Sequence, residues 1–256
     1  MRKVLYFLRQ VGVDPTRTIK ACRNLPRYLV GLFRFVIRNH GLKGLRISPV
    51  LNDFRDAAGS ADGHYFWQDL ICAKWIFEEN PSNHLDVGSR IDGFIAHLLT
   101  FRRVTLLDIR PLAVSIPNLE CVIGNAQNTM SEYKGQFESV SSLHSIEHFG
   151  LGRCSDPIDV QGHLKGLRSI SECVQASGTL YVSFPIGEAS IEFNEQRVIS
   201  PTWPQENLKD FSLIEFVLIP WRGEPIYGIN PEQVDKSKHG QAGLYRFVKH
   251  QDNQNV

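Results

Sequence analysis

From residue 64 onward the apolar positions switch between two periods. In residues 64–80 they recur at helix spacing, through Phe66, Trp67, Leu70, Ile71, Trp75 and Phe77, with Asp62 as N-cap and Pro81 as stop. Short apolar runs follow that read as strands, at 84–87, 103–109, 119–123, 137–143, 179–184, 211–219 and 243–249. Between them lie helical stretches at 92–100 and 162–176, the second closed by Gly178. Alternating strands and helices predict an α/β protein with a mainly parallel, doubly wound sheet. The first 50 residues read instead as one or two helices, with Pro15 and Pro26 as helix starts.

Charge separates those two regions. The chain of 256 residues has a net charge of +1, yet its first 50 residues carry eleven Lys and Arg against one acid, Asp14. The expected organisation is a basic helical extension over 1–55, an α/β domain over 56–250 that begins in the polar joint DAAGSADG, and a tail at 251–256. Leu29, Leu32, Phe33, Val36 and Ile37 beside Arg27, Arg34 and Arg38 suit an interfacial helix. An anionic membrane, an acidic partner and the chain's own acidic body all remain open as its counterpart. The apolar run at 28–37 is too short to span a bilayer, the N-terminus lacks the pattern of a signal peptide, and no nucleic-acid recognition fold is visible. Five scattered cysteines without a C-x-x-C pair argue for a reducing compartment, so a cytoplasmic location is expected.

In a doubly wound sheet, ligands sit beyond the carboxyl ends of the strands. The first strand runs into HLDVGSRIDGF (84–94), which offers Asp86, Gly88, Ser89, Arg90 and Gly93. A glycine there lets the backbone approach a ligand, and the following helix presents free N–H groups. Asp108 ends the second strand, where an acid can accept hydrogen bonds from a ribose diol. Asn125 follows the third and can read an adenine edge. The glycine spacing is neither that of a nicotinamide dinucleotide site nor that of a P-loop. An acid at the strand end followed by Gly-Ser suits S-adenosylmethionine (SAM) better. Arg90 stands where a second glycine is usual; its guanidinium can pair with the SAM carboxylate or fill the site.

The blocks HYFWQDL, HLDVGSRIDGF, LLDIRPL, LHSIEHFGLGR, SDPID, SFPIG and IEFNEQRVISP, over roughly residues 60 to 250, resemble a bacterial family of methyltransferase-like proteins. That family was long classed as being of unknown function and is often encoded among surface-polysaccharide genes. The resemblance implies a Rossmann-like SAM-methyltransferase fold of seven strands, six parallel and one reversed near the end.

On such a sheet the pair Glu147-His148 would lie beside the donor methyl, with His148 as general base for a sugar hydroxyl and Glu147 orienting it. The same pair can instead hold the shape of the following loop. His144, Glu147 and His148 also match the H-x-x-E-H pattern of an inverted zincin, but that motif belongs within a helix. Arg153, Asp156, Asn194 and Arg197 are candidates for gripping a polar substrate, and Asp156 and Asp159 with His148 for a divalent metal, although no resident metal is expected. The expected activity is SAM-dependent O-methylation of a sugar or glycan, free or lipid-linked, in surface-polysaccharide assembly. The alternatives are a non-catalytic binding protein on the same fold, favoured by Arg90 and Asn125, and a metal-dependent hydrolase.

Overall fold

The computed structural model describes residues 2–38, 44–56, 61, 63–128 and 130–251. The expected cap Asp62, part of the joint at 56–63 and most of the tail lie outside them. The chain divides into two compact units, Met1–Ser60 and Ala61–Val256.

The first unit holds α1 (Arg2–Gln10) and α2 (Pro15–Arg38). Asp14 caps α2: its Oδ1 accepts from the amides of Thr16 at 3.0 Å and Arg17 at 3.2 Å, with Pro15 in the first helical position. Pro26 starts no helix but lies inside α2. A proline removes one backbone bond, and the long helix-compatible stretches on either side keep the turn going. No residue of α2 is buried, so Leu29, Phe33 and Ile37 remain exposed. The segment after α2 lies back along it: Asn24 Nδ2 donates to Leu51 O at 2.7 Å and Arg27 sits 4.9 Å above the Phe54 ring. Among the described residues no helix is long and apolar enough to cross a membrane.

The second unit begins with α3 (His64–Glu79), β1 (His84–Val87) and a wide π turn (Ile91–Ile95) that tightens into α4 (Ala96–Leu98). Next come β2 (Val104–Asp108), β3 (Leu119–Ile123), β4 (Phe137–Leu143), α5 (Gly162–Cys173) and β5 (Val174–Ile186). A hairpin of β6 (Ser190–Glu192) and β7 (Gln196–Val198), then α6 (Trp203–Asn207), β8 (Phe211–Pro220) and β9 (Gln241–Lys249), complete it. The sheet order is β3-β2-β1-β4-β5-β9-β8. β9 is antiparallel to both its neighbours and the other pairings are parallel, so six strands share one direction and one is reversed, as expected. Ile71, Trp75 and Ile76 of α3 pack on one face of the sheet with Phe94 and Leu98, and Leu167 and Ile170 of α5 pack on the other. Among the described residues the connections on either side of β3 carry no α-helix, only a 3-10 turn at Ser131–Tyr133.

Gly178 does not stop α5. The helix ends at Cys173, and Gly178 sits in a bulge of β5, between the pairs Phe137–Val174 and Ser139–Thr179. A Cβ on Gly178 would lie 2.9 Å from Glu138 O, so the residue is fixed by close approach of two backbones. The hairpin and α6 went unforeseen because strands of three residues carry too little periodicity.

Candidate functional site

One cavity opens at the carboxyl ends of β1, β2, β3 and β4, where this topology concentrates ligand sites. Its lining includes Tyr65, Gly88, Arg90, Asp108, Arg110, Asn125, His144, His148, Phe149, Arg153 and Asp156. Sequence-predicted residues from four strands therefore meet here.

Gly88 turns the chain at φ 73°, and a Cβ on it would come within 2.2 Å of Ser145 Oγ. Only glycine fits both demands. The other residues of the turn behave differently from expectation. Asp86 is buried and points back into the sheet, accepting from Ser89 N at 3.0 Å, Ser89 Oγ at 2.7 Å and Ser141 Oγ at 2.5 Å. Burial pushes its carboxyl up to about 7, against those hydrogen bonds. Ser89 is buried too, and its Oγ also accepts from Leu143 N at 3.1 Å. Gly93 makes room for Asp69 of α3, whose Oδ2 would lie 2.5 Å from a Cβ there. Asp86, Ser89 and Gly93 thus brace the loop from below and do not line the cavity.

Arg90 does line it. Its Nε and Nη2 grip Asp92 at 3.1 and 2.8 Å, and its guanidinium lies 5.2 Å above the Tyr65 ring. Asp108 is held by its own loop: Arg110 donates N at 2.8 Å and Nε at 2.9 Å to Oδ1, and Nη2 at 2.7 Å to Oδ2. A carboxylate offers about four lone-pair sites, so Oδ2 can still accept a hydroxyl. Asn125 accepts from Gln127 N at 2.9 Å and donates to Asp156 at 3.3 Å.

Asp156 also accepts from Gly150 N at 2.5 Å and from Gln127 Nε2. It ties the loop after β3 to the loop after β4, and its oxygens are largely occupied by that task. Asp159 lies outside this cavity, paired with Lys165 at 2.5 Å. Among the described residues no three His, Cys, Asp or Glu side chains are placed to share a metal ion. His144 follows β4 and only Ile146–His148 form a single 3-10 turn, so the helix an inverted zincin needs is not built. The hydrolase expectation finds no geometry.

His144 sits at φ 49°, a strained position for a non-glycine residue. Its ring stacks on His64 at 5.2 Å, and its Nδ1 is 2.9 Å from Glu147 Oε1. That distance suits an ion pair, but the angle does not make a hydrogen bond: both oxygens of the fully buried Glu147 lack a hydrogen-bond partner. Glu147 Oε1 is 3.9 Å from His148 Nε2, too far to orient that ring by a hydrogen bond as expected. His148 is oriented by a backbone group instead. Its Nδ1 lies 2.6 Å from Glu195 O. A carbonyl only accepts, so Nδ1 carries the proton and Nε2 of the neutral ring is a lone pair. Arg153 Nη1 donates to the same carbonyl at 3.1 Å; its 3.3 Å approach to His148 Nδ1 therefore joins two donors and is not a hydrogen bond.

Two expected substrate residues do other work. Asn194 occupies the turn between β6 and β7 at φ 63°, donates to Leu151 O at 3.5 Å and does not line the cavity. Arg197 is 3% exposed. It donates to Phe149 O at 2.5 Å, Glu147 O at 3.3 Å, and Asp159 O and Val160 O at 3.4 Å each. It pins the loop after β4 from beneath. The sequence reading missed Tyr65, Arg110, Gln127 and the Glu195 carbonyl. Arg110 alone left a local sign, an acid at a strand end followed two residues later by a guanidinium; a backbone acceptor leaves none.

A family model described as a Caenorhabditis protein of unknown function, DUF268, matches residues 115–214. No curated protein matches in sequence. Among solved structures, the chain is similar to the N-methyltransferase NodS from Bradyrhizobium japonicum in complex with S-adenosyl-L-homocysteine. The identity is 12%, over 74% of this chain and 89% of that one, with a TM-score of 0.50. It is also similar to the methyltransferase domain of bacterial CtHen1, at 12% identity over 72% of this chain and 97% of that one, with a TM-score of 0.51. The fold is that of the Rossmann-like methyltransferases, with helices added at the N-terminus.

Proposed function

We propose that this chain is a SAM-dependent O-methyltransferase whose acceptor is a sugar or glycan hydroxyl, in surface-polysaccharide assembly. The observation that carries the reading is one cavity that joins a glycine turn, a strand-end acid and an imidazole lone pair, at Gly88, Asp108 and His148. The residues fit SAM: Gly88 makes the turn at the cavity wall that only glycine can make, Asp108 Oδ2 retains capacity for a ribose hydroxyl, and Arg90 Nη1 remains beside the turn for a carboxylate. When bound, SAM supplies an electrophilic methyl. His148 Nε2 accepts the hydroxyl proton, and the Glu195 carbonyl holds the ring in the tautomer that permits this. Arg153, beside His148, suits the acceptor's polar groups.

Calorimetric titration with SAM and S-adenosylhomocysteine tests the reading. Binding of both is expected, and Asp108→Ala should weaken each by about 1–3 kcal/mol through lost charge-assisted hydrogen bonds. Absence of binding to the wild-type chain rejects the cofactor and favours a non-catalytic protein on this fold; an unchanged affinity in the variant removes Asp108 from the site.

We further propose that the first unit docks on an anionic lipid surface, at the cytoplasmic face of the membrane. The support is α2, which buries no side chain, exposes Leu29, Phe33 and Ile37, and carries Arg27, Arg34 and Arg38. Each basic side chain near such a surface contributes about 1 kcal/mol. Full-length protein should co-sediment with phosphatidylglycerol vesicles, less so in high salt, and a chain starting at Ala61 should stay in the supernatant. Equal sedimentation of the two chains would remove the first unit from any membrane role.

A further inference from the structure

The charges around the cavity raise a difficulty for a cation. Arg90, Arg110 and Arg153 line it against two carboxylates, Asp108 and Asp156, each already engaged by donors of its own loops. Arg90 and Arg110 are themselves paired with Asp92 and Asp108, so a sulfonium entering this space meets one guanidinium without a carboxylate, Arg153, and lining carboxylates that already hold donors. What can balance it is the π face of Tyr65, in the first turn of α3, whose ring forms a cavity wall.

That face already attracts a cation. The Arg90 guanidinium lies 5.2 Å from the ring centroid, within cation–π range. Arg90 is exposed and anchored through Asp92, which is more exposed still, so leaving the ring requires no rearrangement of the core. The ring is also 5.2 Å from the His144 ring, which joins it to the group of side chains around His148. An aromatic face near the acceptor base is where the charged sulfur has to be for its methyl to reach the hydroxyl oxygen whose proton that base accepts.

We propose that the Tyr65 ring is the sulfonium subsite, and that Arg90 covers this face until the cofactor takes its place. The proposal rests on the SAM reading above and deepens it by naming the residue that senses the charge on sulfur. Tyr65 is a positioning residue through its ring; its hydroxyl has no part in the proposal.

SAM and S-adenosylhomocysteine differ at the sulfur, one a cation and the other a neutral thioether, so their affinity ratio isolates the contact. Calorimetry on the full chain should show Tyr65→Leu weakening SAM about tenfold while S-adenosylhomocysteine changes less than about twofold. Tyr65→Phe should leave both near wild type. Should Tyr65→Leu fail to fold, Tyr65→Trp serves: it keeps a π face, and the affinity for SAM relative to S-adenosylhomocysteine should hold at the wild-type ratio or rise. The same Leu effect is expected in an Arg90→Ala background, where no freed guanidinium can repel the sulfonium. Equal weakening of both ligands by Tyr65→Leu, a loss of preference in Tyr65→Phe or Tyr65→Trp, or disappearance of the effect with Arg90→Ala overturns the proposal while leaving the cofactor reading intact. A wild-type chain that binds neither ligand overturns both.

Discussion

Replacing His148 by asparagine should lower methyl transfer by about 10²–10⁴-fold, the usual contribution of a positioned general base, while S-adenosylhomocysteine binding stays within about twofold of wild type. The choice of asparagine matters. Its amide can still donate to the Glu195 carbonyl that His148 Nδ1 reaches at 2.6 Å, so the link between the β4 loop and the hairpin survives. What asparagine lacks is a basic lone pair at the position of Nε2. If His148 only shaped the loop, His148→Asn would transfer methyl groups nearly as fast as wild type and His148→Ala would not. If it is the base, both are slow. The measurement is transfer of labelled methyl from SAM to a panel of nucleotide sugars, using the one that wild type methylates fastest. A fast asparagine variant would remove His148 from the chemistry, and no transfer by wild type to any of them would reject that acceptor class.

Arg197→Met should destabilise the second unit by roughly 3–5 kcal/mol, as removing one partner of a buried charged network does. The guanidinium is nearly inaccessible and serves four carbonyls, those of Glu147, Phe149, Asp159 and Val160. Methionine fills much of the volume but supplies no donor, so four acceptors in the loop after β4 lose the guanidinium at once, and of these Asp159 O keeps the Gly162 amide at 3.0 Å. Lysine should not rescue, because an ammonium on a flexible stem cannot meet carbonyls on both sides as a planar fork does. At about 2–4 °C per kcal/mol for a unit of this size, a fall in Tm of roughly 10 °C is expected. A shift smaller than about 2 °C would show that the carbonyls find water instead, and the loop would then owe its shape to Asp156 and Gly150.

The sequence alone determined the sheet and the places where chemistry can sit. Short apolar runs bounded by turn residues placed β1, β3 and β4 to the residue; β1 and β4 are buried along almost their whole length, which keeps most of their side chains apolar or small. Gly88 and Asp108 were legible by position, at strand ends where this topology opens its cavity, and both line it. What each polar side chain does there was decided only by tertiary packing. Asp86, Ser89 and Arg197 look on paper like Asp108 and Arg153, yet the first three are buried braces and the other two line the cavity. The difference lies in partners distant along the chain, Ser141 for Asp86, Leu143 for Ser89, and the carbonyls of residues 147 to 160 for Arg197. A buried polar group has to find its donors or acceptors wherever the fold brings them, and backbone carbonyls carry no mark of residue type. Tyr65 was hidden for the converse reason. It stands beside the helix-spaced apolar positions without being one of them, and only the approach of α3 to the carboxyl ends of the strands turned its ring toward the cavity.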